Sequence, residues 1–138
     1  GSLYLSAKHP DLFCAGGSMS GAVDMSTMLN RESSAQVVKL MQPVFGDKSD
    51  SSEMYAKYAV MNMLDKIKEN KLPLIIDCGV DDFLIEPNRE LHRRLVYNKV
   101  EHDYTERPGA HTWDYWDNSL PYHALFFSKI LFKSKSTK

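Results

Sequence analysis

Residues 72–84 read LPLIIDCGVDDFL, and this stretch decides the fold. The apolar run between Pro73 and Gly79 has the length and the boundaries of a β-strand that is buried on both faces, as in a parallel sheet. Such strands carry their chemistry on the loop at their carboxyl end. We therefore expect Asp81 and Asp82, which follow the run, to lie at the functional edge of a sheet.

A second stretch, GAHTWDYW at residues 109–116, places His111 in a loop that a glycine opens, just before the last helix. An acid after one strand and a histidine after the next follow the chain order of a hydrolase triad in which the nucleophile comes first. Ser18 and Ser20 are poor candidates for that nucleophile, because neither lies in a G-x-S-x-G sequence between a strand and a helix. We expect Ser20 to line the floor of the site instead.

The order of helical and strand patterns along the chain predicts an α/β fold. Residues 2–9 read as the end of a helix that Pro10 stops. The remaining patterns predict strands that start at Leu12, Leu72 and Val100, and helices at residues 30–41, 50–69, 87–96 and 117–131. With right-handed crossovers, this order gives a three-layer α/β/α architecture around a short parallel sheet. We expect one domain at residues 1–132 and a disordered tail at residues 133–138.

The composition of the chain argues against nucleic-acid and membrane partners. The 138 residues are 43% hydrophobic, which is enough for one modest core. The formal net charge is −1 and no basic stripe is present, so no nucleic-acid partner is expected. No apolar run approaches the length of a membrane span, and the first residues lack the pattern of a signal peptide, so no membrane partner is expected. The compartment, cytoplasmic or secreted, stays open.

The cysteines and histidines do not form a metal-binding pattern. Cys14 and Cys78 lie far apart and outside any C-x-x-C sequence, which predicts two reduced cysteines buried in strands rather than a disulfide or a zinc site. A metal-dependent hydrolase that uses His111 and Asp114 would have too few ligands at sensible spacing. We therefore expect no metal and no other cofactor.

Four segments resemble α/β-hydrolase esterases of the esterase D type, the group that includes tributyrin esterases, S-formylglutathione hydrolases and feruloyl or acetyl-xylan esterases. They are LSAKHPDLF at residues 5–13, SMSG at 18–21, CGVDDFL at 78–84 and GAHTWDYW at 109–116. The resemblance covers almost the whole chain and implies a carboxylic ester hydrolase. In that family the G-x-S-x-G nucleophile lies just before a helix whose end is similar to residues 7–10. The resemblance therefore implies the carboxyl-terminal part of an esterase, with the serine upstream.

The resemblance also assigns site residues. The family's G-x-x-D acid falls on Asp82, with Asp81 as its rival after a shift of one residue, and the G-x-H base falls on His111. Trp113 either walls the substrate site or is buried for packing. The implied substrate is a small-molecule ester or an acylated carbohydrate. Without the serine, this chain alone is expected to be inactive.

An alternative to an enzyme part is a catalytically inactive fragment or pseudoenzyme that acts as an assembly module. Association is expected in either case, because the strand that starts at Leu12 would leave an apolar sheet edge without a neighbour. We expect a homo-oligomer or pairing with the missing amino-terminal half.

Overall fold

The computed structural model describes residues 1–24, 39, 42–43 and 52–133. Within these residues, a short 3₁₀ helix, Val60–Asn62, separates the second and third α-helices. The elements in chain order are helix α1 (Ser2–Lys8), strand β1 (Gly16–Met19), helix α2 (Ser52–Tyr58), helix α3 (Leu64–Glu69), strand β2 (Leu74–Gly79), helix α4 (Ile85–Tyr97), strand β3 (Asp103–Arg107) and helix α5 (Trp113–Lys133).

The strands form one parallel sheet in the order β1-β2-β3. Gly17 of β1 aligns with Ile75 of β2, and Ile76 of β2 aligns with Tyr104 of β3. Every residue of the central strand β2 is buried. These pairings confirm the predicted parallel sheet. The burial of β2 agrees with its sequence, since an apolar run without polar alternation is typical of a strand that is covered on both faces.

Helices cover both faces of the sheet, as predicted. On one face, two side chains of β2 join side chains of α1, α3 and α4 in the main hydrophobic core: Leu74, Ile76, Leu3, Ile67 and Leu91. Each is at most 3% exposed, and full burial of such a side chain contributes about 1.5–3 kcal/mol. Helix α5 covers the opposite face of β2.

The first strand begins later than predicted, at Gly16. Leu12 is 72% exposed rather than buried, because its N–H group donates to the carbonyl of His9 in the turn that closes α1. The segment before Gly16 therefore ends a helix instead of joining the sheet. The prediction that Cys14 is a buried strand cysteine is wrong, since Cys14 is exposed, whereas Cys78 is free and buried in β2 as predicted.

The helix predicted over residues 50–69 is interrupted. Ala59 has an extended backbone (φ −71°, ψ 127°), and the N–H group of Val60 donates to the carbonyl of Val23 instead of to its own helix. The bend places Val60 and Met61 in the core beside the sheet. Met61 is 6% exposed in this core, and the single long helix that was predicted does not form.

The other boundaries shift by a few residues. Helix α4 begins at Ile85, before Pro87, because proline is tolerated in the first turn of a helix. Strand β3 begins at Asp103 instead of Val100. Helix α5 begins at Trp113, so the second half of the GAHTWDYW segment is helical rather than part of the loop.

Two predictions concern residues outside those that the structure describes. The helix predicted over residues 30–41 falls there except for residue 39, and so do residues 134–138 of the predicted tail. The first residue of that tail, Lys133, ends α5. In the ranges that are described, no helix combines the length and the apolar character that a membrane crossing requires.

Candidate active site

Backbone hydrogen bonds join the loop after β2 to the loop after β3. The N–H group of Val80 donates to the carbonyl of Arg107, and the N–H group of Asp81 donates to the carbonyl of Gly109, both at 3.0 Å. The N–H group of Asp82 closes a turn onto the carbonyl of Gly79 at 3.1 Å. The two loops that carry the predicted acid and base are therefore held against each other at the carboxyl edge of the sheet.

Two glycines permit this close approach. A Cβ atom at Gly79 would overlap the carbonyl oxygen of Gly109, so no larger residue fits without moving a backbone. Gly109 has a φ of +133°, a conformation that side chains other than glycine rarely adopt, and it packs on the ring of Tyr115. The glycines that the sequence placed beside Asp82 and His111 are thus required by the geometry of the loops.

A side-chain hydrogen bond between the two loops joins Asp82 to His111. Oδ2 of Asp82 lies 2.9 Å from Nδ1 of His111, and Oδ1 of Asp82 accepts the backbone N–H of Leu84 at 2.9 Å. The Asp82 side chain is fully buried, whereas that of His111 is 35% exposed. Because a carboxylate only accepts hydrogen bonds, this contact favours the tautomer in which Nδ1 carries the proton and Nε2 carries the lone pair.

This geometry brings together some of the predicted site residues and separates others. Asp82 contacts His111, while Asp81 is exposed at the turn. Ser20 is 5% exposed at the end of β1, and its Oγ accepts the indole N–H of Trp116 at 3.1 Å. Trp113 is 76% exposed, so the alternative that it is buried for packing is wrong.

Two aromatic residues that the sequence reasoning did not assign to the site flank the imidazole. The ring of Phe83 lies 4.8 Å from that of His111, tilted by 45°, and the ring of Trp116 lies 4.9 Å away, nearly perpendicular at 87°. Trp113 packs edge-on against Trp116 at 5.1 Å. Phe83 lies next to Asp82, and Trp116 lies in the segment that contains His111, so their positions in the sequence were a signal for the site. Only the folded loops show that both rings contact the imidazole.

A buried polar cluster anchors α5 to the sheet beneath the site. Asp77 of β2, 1% exposed, accepts hydrogen bonds from Arg107 of β3 and, at 2.9 Å, from Ser119 of α5. The Arg107 guanidinium also lies 4.5 Å from the ring of Tyr122. The sequence contained a signal for this cluster, since a charge inside an otherwise apolar strand requires a partner. The cluster fixes the helix that carries Trp116.

The described residues offer few other reactive groups. Burial, with a smaller contribution from the charge of Asp82, raises the pKa of the Cys78 thiol to about 12, so this sulfur is not a thiolate nucleophile at neutral pH. In the same part of the chain, no three His, Cys, Asp or Glu side chains are grouped closely enough to hold a metal ion.

A parallel sheet between helices, with an acid after one strand and a histidine after the next, is the arrangement found in the α/β-hydrolase fold class. The model of the family described as "Putative esterase" matches residues 1–127. The chain belongs to this esterase family.

The acetyl esterase of Caldicellulosiruptor saccharolyticus is 32% identical over 90 residues, which are 63% of this chain and 33% of that protein. The chain thus spans about a third of the length of this curated relative.

Solved structures agree on the fold. A ferulic acid esterase superposes with a TM-score of 0.67 at 23% identity, over 93% of this chain and 46% of its own length. The Staphylococcus aureus serine hydrolase FphF superposes with a TM-score of 0.70 at 19% identity, over 94% of this chain and 49% of its own length. The S-formylglutathione hydrolase FrmB of the same organism superposes with a TM-score of 0.65 at 19% identity, over 94% of this chain and 50% of its own length. These likenesses establish the α/β-hydrolase fold, and the chain spans about half of each structure.

Proposed function

We propose that this chain supplies the acid and the base of a Ser-Asp-His triad in a carboxylic ester hydrolase. Asp82 is the acid, His111 is the general base, and the serine lies in a segment that precedes residue 1. The observation that carries the proposal is the 2.9 Å hydrogen bond between Asp82 and His111 at the carboxyl edge of the sheet. Membership of the esterase family supports the same reaction class.

The proposed mechanism follows from the tautomer that Asp82 favours. Nε2 of His111 takes the proton of the serine hydroxyl while the serine oxygen forms a bond to the ester carbonyl carbon. The buried carboxylate of Asp82 stabilises the imidazolium that forms. The imidazolium then gives this proton to the departing alcohol, which leaves an acyl-enzyme. A water molecule, deprotonated by the same nitrogen, releases the acid and restores the serine.

The serines near the site fit the role of nucleophile poorly. The Ser20 hydroxyl is buried and already accepts the indole N–H of Trp116. Ser18 is 8% exposed and its hydroxyl points toward Gly21, since a Cβ atom at that glycine would overlap it. A nucleophile that must reach a substrate carbonyl needs more access than either side chain has, which supports a serine from another segment.

Substrate contacts are proposed for two residues. The exposed ring of Trp113 packs on Trp116, which contacts His111, and it offers a flat apolar surface for part of a small-molecule ester or an acylated carbohydrate. Ser20 forms part of the buried floor beneath the same imidazole, through its contact with Trp116. The curated relative is an acetyl esterase, which supports an ester as the substrate class.

We also propose that the chain pairs with the serine-bearing part of the esterase along β1. An apolar groove of 550 Å³ lies beside this strand, between α1 and α5, and includes Leu5, Phe13, Leu120 and Phe127. Leu120 is 56% exposed and Phe13 is 42% exposed. An apolar surface next to a strand edge is a template for another strand-bearing unit, and a second copy of this chain would use the same surface.

Hydrolysis of p-nitrophenyl acetate by the purified chain tests the placement of the serine. We expect a rate near the uncatalysed background, because loss of a serine nucleophile costs on the order of a million-fold in turnover in a related triad. Hydrolysis well above background that Ser18→Ala or Ser20→Ala abolishes would contradict the proposal. The DNA that precedes the codon for Gly1 should encode a G-x-S-x-G sequence, and its absence would contradict the proposal independently.

A further inference from the structure

Ser20 has a strained backbone at the end of β1. Its φ of +52° lies in the left-handed region, which is unfavourable for a residue other than glycine. Its N–H group donates to the carbonyl of Asp77 at 2.8 Å, and this contact holds the conformation in place. Glycine would adopt the same φ without strain, so what serine adds at this position is its hydroxyl group. Lys71 and Lys99 also have a positive φ, so the contacts of the Ser20 hydroxyl group, and not its backbone conformation, decide its role.

The hydroxyl group of Ser20 holds the side chain of Trp116. Ser20 Oγ accepts the indole N–H at 3.1 Å, and this hydrogen bond spans 96 residues of sequence. Ser20 is 5% exposed, so water does not readily replace its hydroxyl as the acceptor. The bond therefore fixes the indole ring with respect to the end of β1.

Trp116 in turn restricts the ring of His111. One hydrogen bond from Nδ1 to Asp82 fixes that nitrogen, but it leaves the tilt of the imidazole plane free. The edge-to-face contact with Trp116, at 4.9 Å and 87°, and the contact with Phe83 at 4.8 Å limit that tilt from two directions. Aromatic contacts of this geometry are favourable beyond the area that they bury.

We infer that Ser20 and Trp116 are positioning residues that fix the plane of the His111 imidazole, so that the Nε2 lone pair points at the incoming serine. This inference rests on the proposed function, because it names what orients the proposed base. Asp82 selects the tautomer and holds one nitrogen, while the contacts from Ser20 through Trp116 set the direction of the other. Small errors in that direction are costly, since proton transfer requires aligned donor and acceptor.

Nuclear magnetic resonance on the ¹⁵N-labelled chain tests the inference without any assay of activity. Trp116→Phe keeps an aromatic ring beside His111 and removes the indole N–H, whereas Ser20→Gly removes the acceptor and relieves the strained φ. In both variants we expect the Nδ1 proton of His111 to exchange with water roughly fivefold faster, the effect of one lost neutral hydrogen bond. The double variant should exchange no faster than either single variant, because both remove the same bond.

Ser18→Ala is the matched control, since it removes a buried hydroxyl from the same strand. It should leave the exchange of the His111 proton unchanged. Ser20→Gly also guards against a folding artefact, because a glycine at φ +52° should not destabilise the backbone. Unchanged exchange in both Ser20→Gly and Trp116→Phe would overturn the inference, and so would an equal change in Ser18→Ala.

The same variants in the esterase assembled from this chain and its serine-bearing segment separate positioning from binding. For Trp116→Phe we expect kcat to fall roughly fivefold with KM nearly constant, since the base is misaligned while the proposed contacts of Trp113 and Ser20 with substrate remain. Ser20→Gly, which also alters the floor of the site, should lower kcat by a similar factor whatever its effect on KM. A rise in KM at constant kcat would overturn the inference. The proposed function fails by a different result, namely an assembled protein without esterase activity, or one in which Asp82→Asn has no effect.

Discussion

Nδ1 of His111 lies 2.9 Å from Oδ2 of Asp82 although 29 residues separate them in the sequence. The contact forms within this chain, because two hydrogen-bonded loops and a pair of glycines bring the ends of β2 and β3 together. An acid and base that are already aligned need no reorganisation when a substrate arrives.

Asp82→Asn should disturb the tautomer of His111. An amide can donate to Nδ1 as well as accept from it, so the preference for a proton on Nδ1 is expected to disappear. The ¹⁵N chemical shifts of the imidazole nitrogens measure this directly. In the assembled esterase, we expect kcat to fall on the order of 10⁴-fold, the loss that the same change causes in a serine protease triad.

Asp81→Asn is the control for this experiment, because it makes the same chemical change one residue earlier, at an exposed position in the turn. It should leave the imidazole shifts and kcat within about twofold of the wild type. A large effect of Asp81→Asn together with a small effect of Asp82→Asn would show that Asp81 is the acid.

Gly79→Ala should separate the two loops. The added methyl group would overlap the carbonyl oxygen of Gly109, which is backbone and cannot rotate away. We expect a loss of about 1–3 kcal/mol in the free energy of unfolding, together with loss of the Nδ1 proton signal of His111. Gly1→Ala is the matched control, since no atom lies within 4 Å of a methyl group there. Equal urea midpoints for the two variants would contradict the proposed close approach.

The sequence predicted the parts of the site that depend on local pattern and chain order. The run at residues 72–78 predicts a buried strand whatever surrounds it, and its carboxyl end then locates Asp82. The loop that contains His111 follows the next strand in the same way. Both residues meet at one edge because parallel strands place their carboxyl ends together.

Contacts between distant segments were not predictable in the same way. The segment at Leu12 is as apolar as a strand, but its backbone is used to close α1. The role of Trp116 depends on a hydrogen bond to a residue 96 positions earlier, for which the sequence contains no spacing rule. Asp77 gave a detectable signal, an acid in an apolar strand, yet the identity of its partners required the packing of α5 on the sheet.

Stability should fall as the pH drops below about 6.5, and His123 should be one cause. This histidine is 4% exposed on the buried face of α5, and burial lowers its pKa below the ordinary 6.5, with Arg107 of β3 acting in the same direction and Asp77 of β2 opposing it. The folded state therefore binds this proton less readily than the unfolded state. Above pH 6.5 His123 is neutral in both states and does not lower the free energy of unfolding. As the pH falls from 6.5 toward the lowered pKa, the unfolded state gains the proton first and the free energy of unfolding decreases.

Urea unfolding at pH 7.5 and at pH 5.5 measures this effect. His123→Leu removes the proton site and the Nε2 atom that is buried without a hydrogen-bond partner, so this variant should lose less stability between the two pH values. Part of the loss should remain, because burial and the nearby His102 also lower the pKa of His92. If His123→Leu and the wild type lose stability equally, then His123 does not contribute to the pH dependence.

Association through the groove beside β1 gives the final prediction. Light scattering on the isolated 15.8 kDa chain should show a mass that rises with concentration, because apolar side chains around a strand edge favour pairing. Leu120→Glu places a charge in the groove and should weaken association at least roughly tenfold, since burial of a leucine side chain is worth about 1.5–3 kcal/mol.

Tyr97→Glu is the control, because this residue is 86% exposed on α4 and is not part of the groove. A wild-type chain that stays monomeric at high concentration would contradict self-association, and pairing with the serine-bearing segment would then be the remaining role for this surface. Equal weakening by Leu120→Glu and Tyr97→Glu would mean that association does not use the groove.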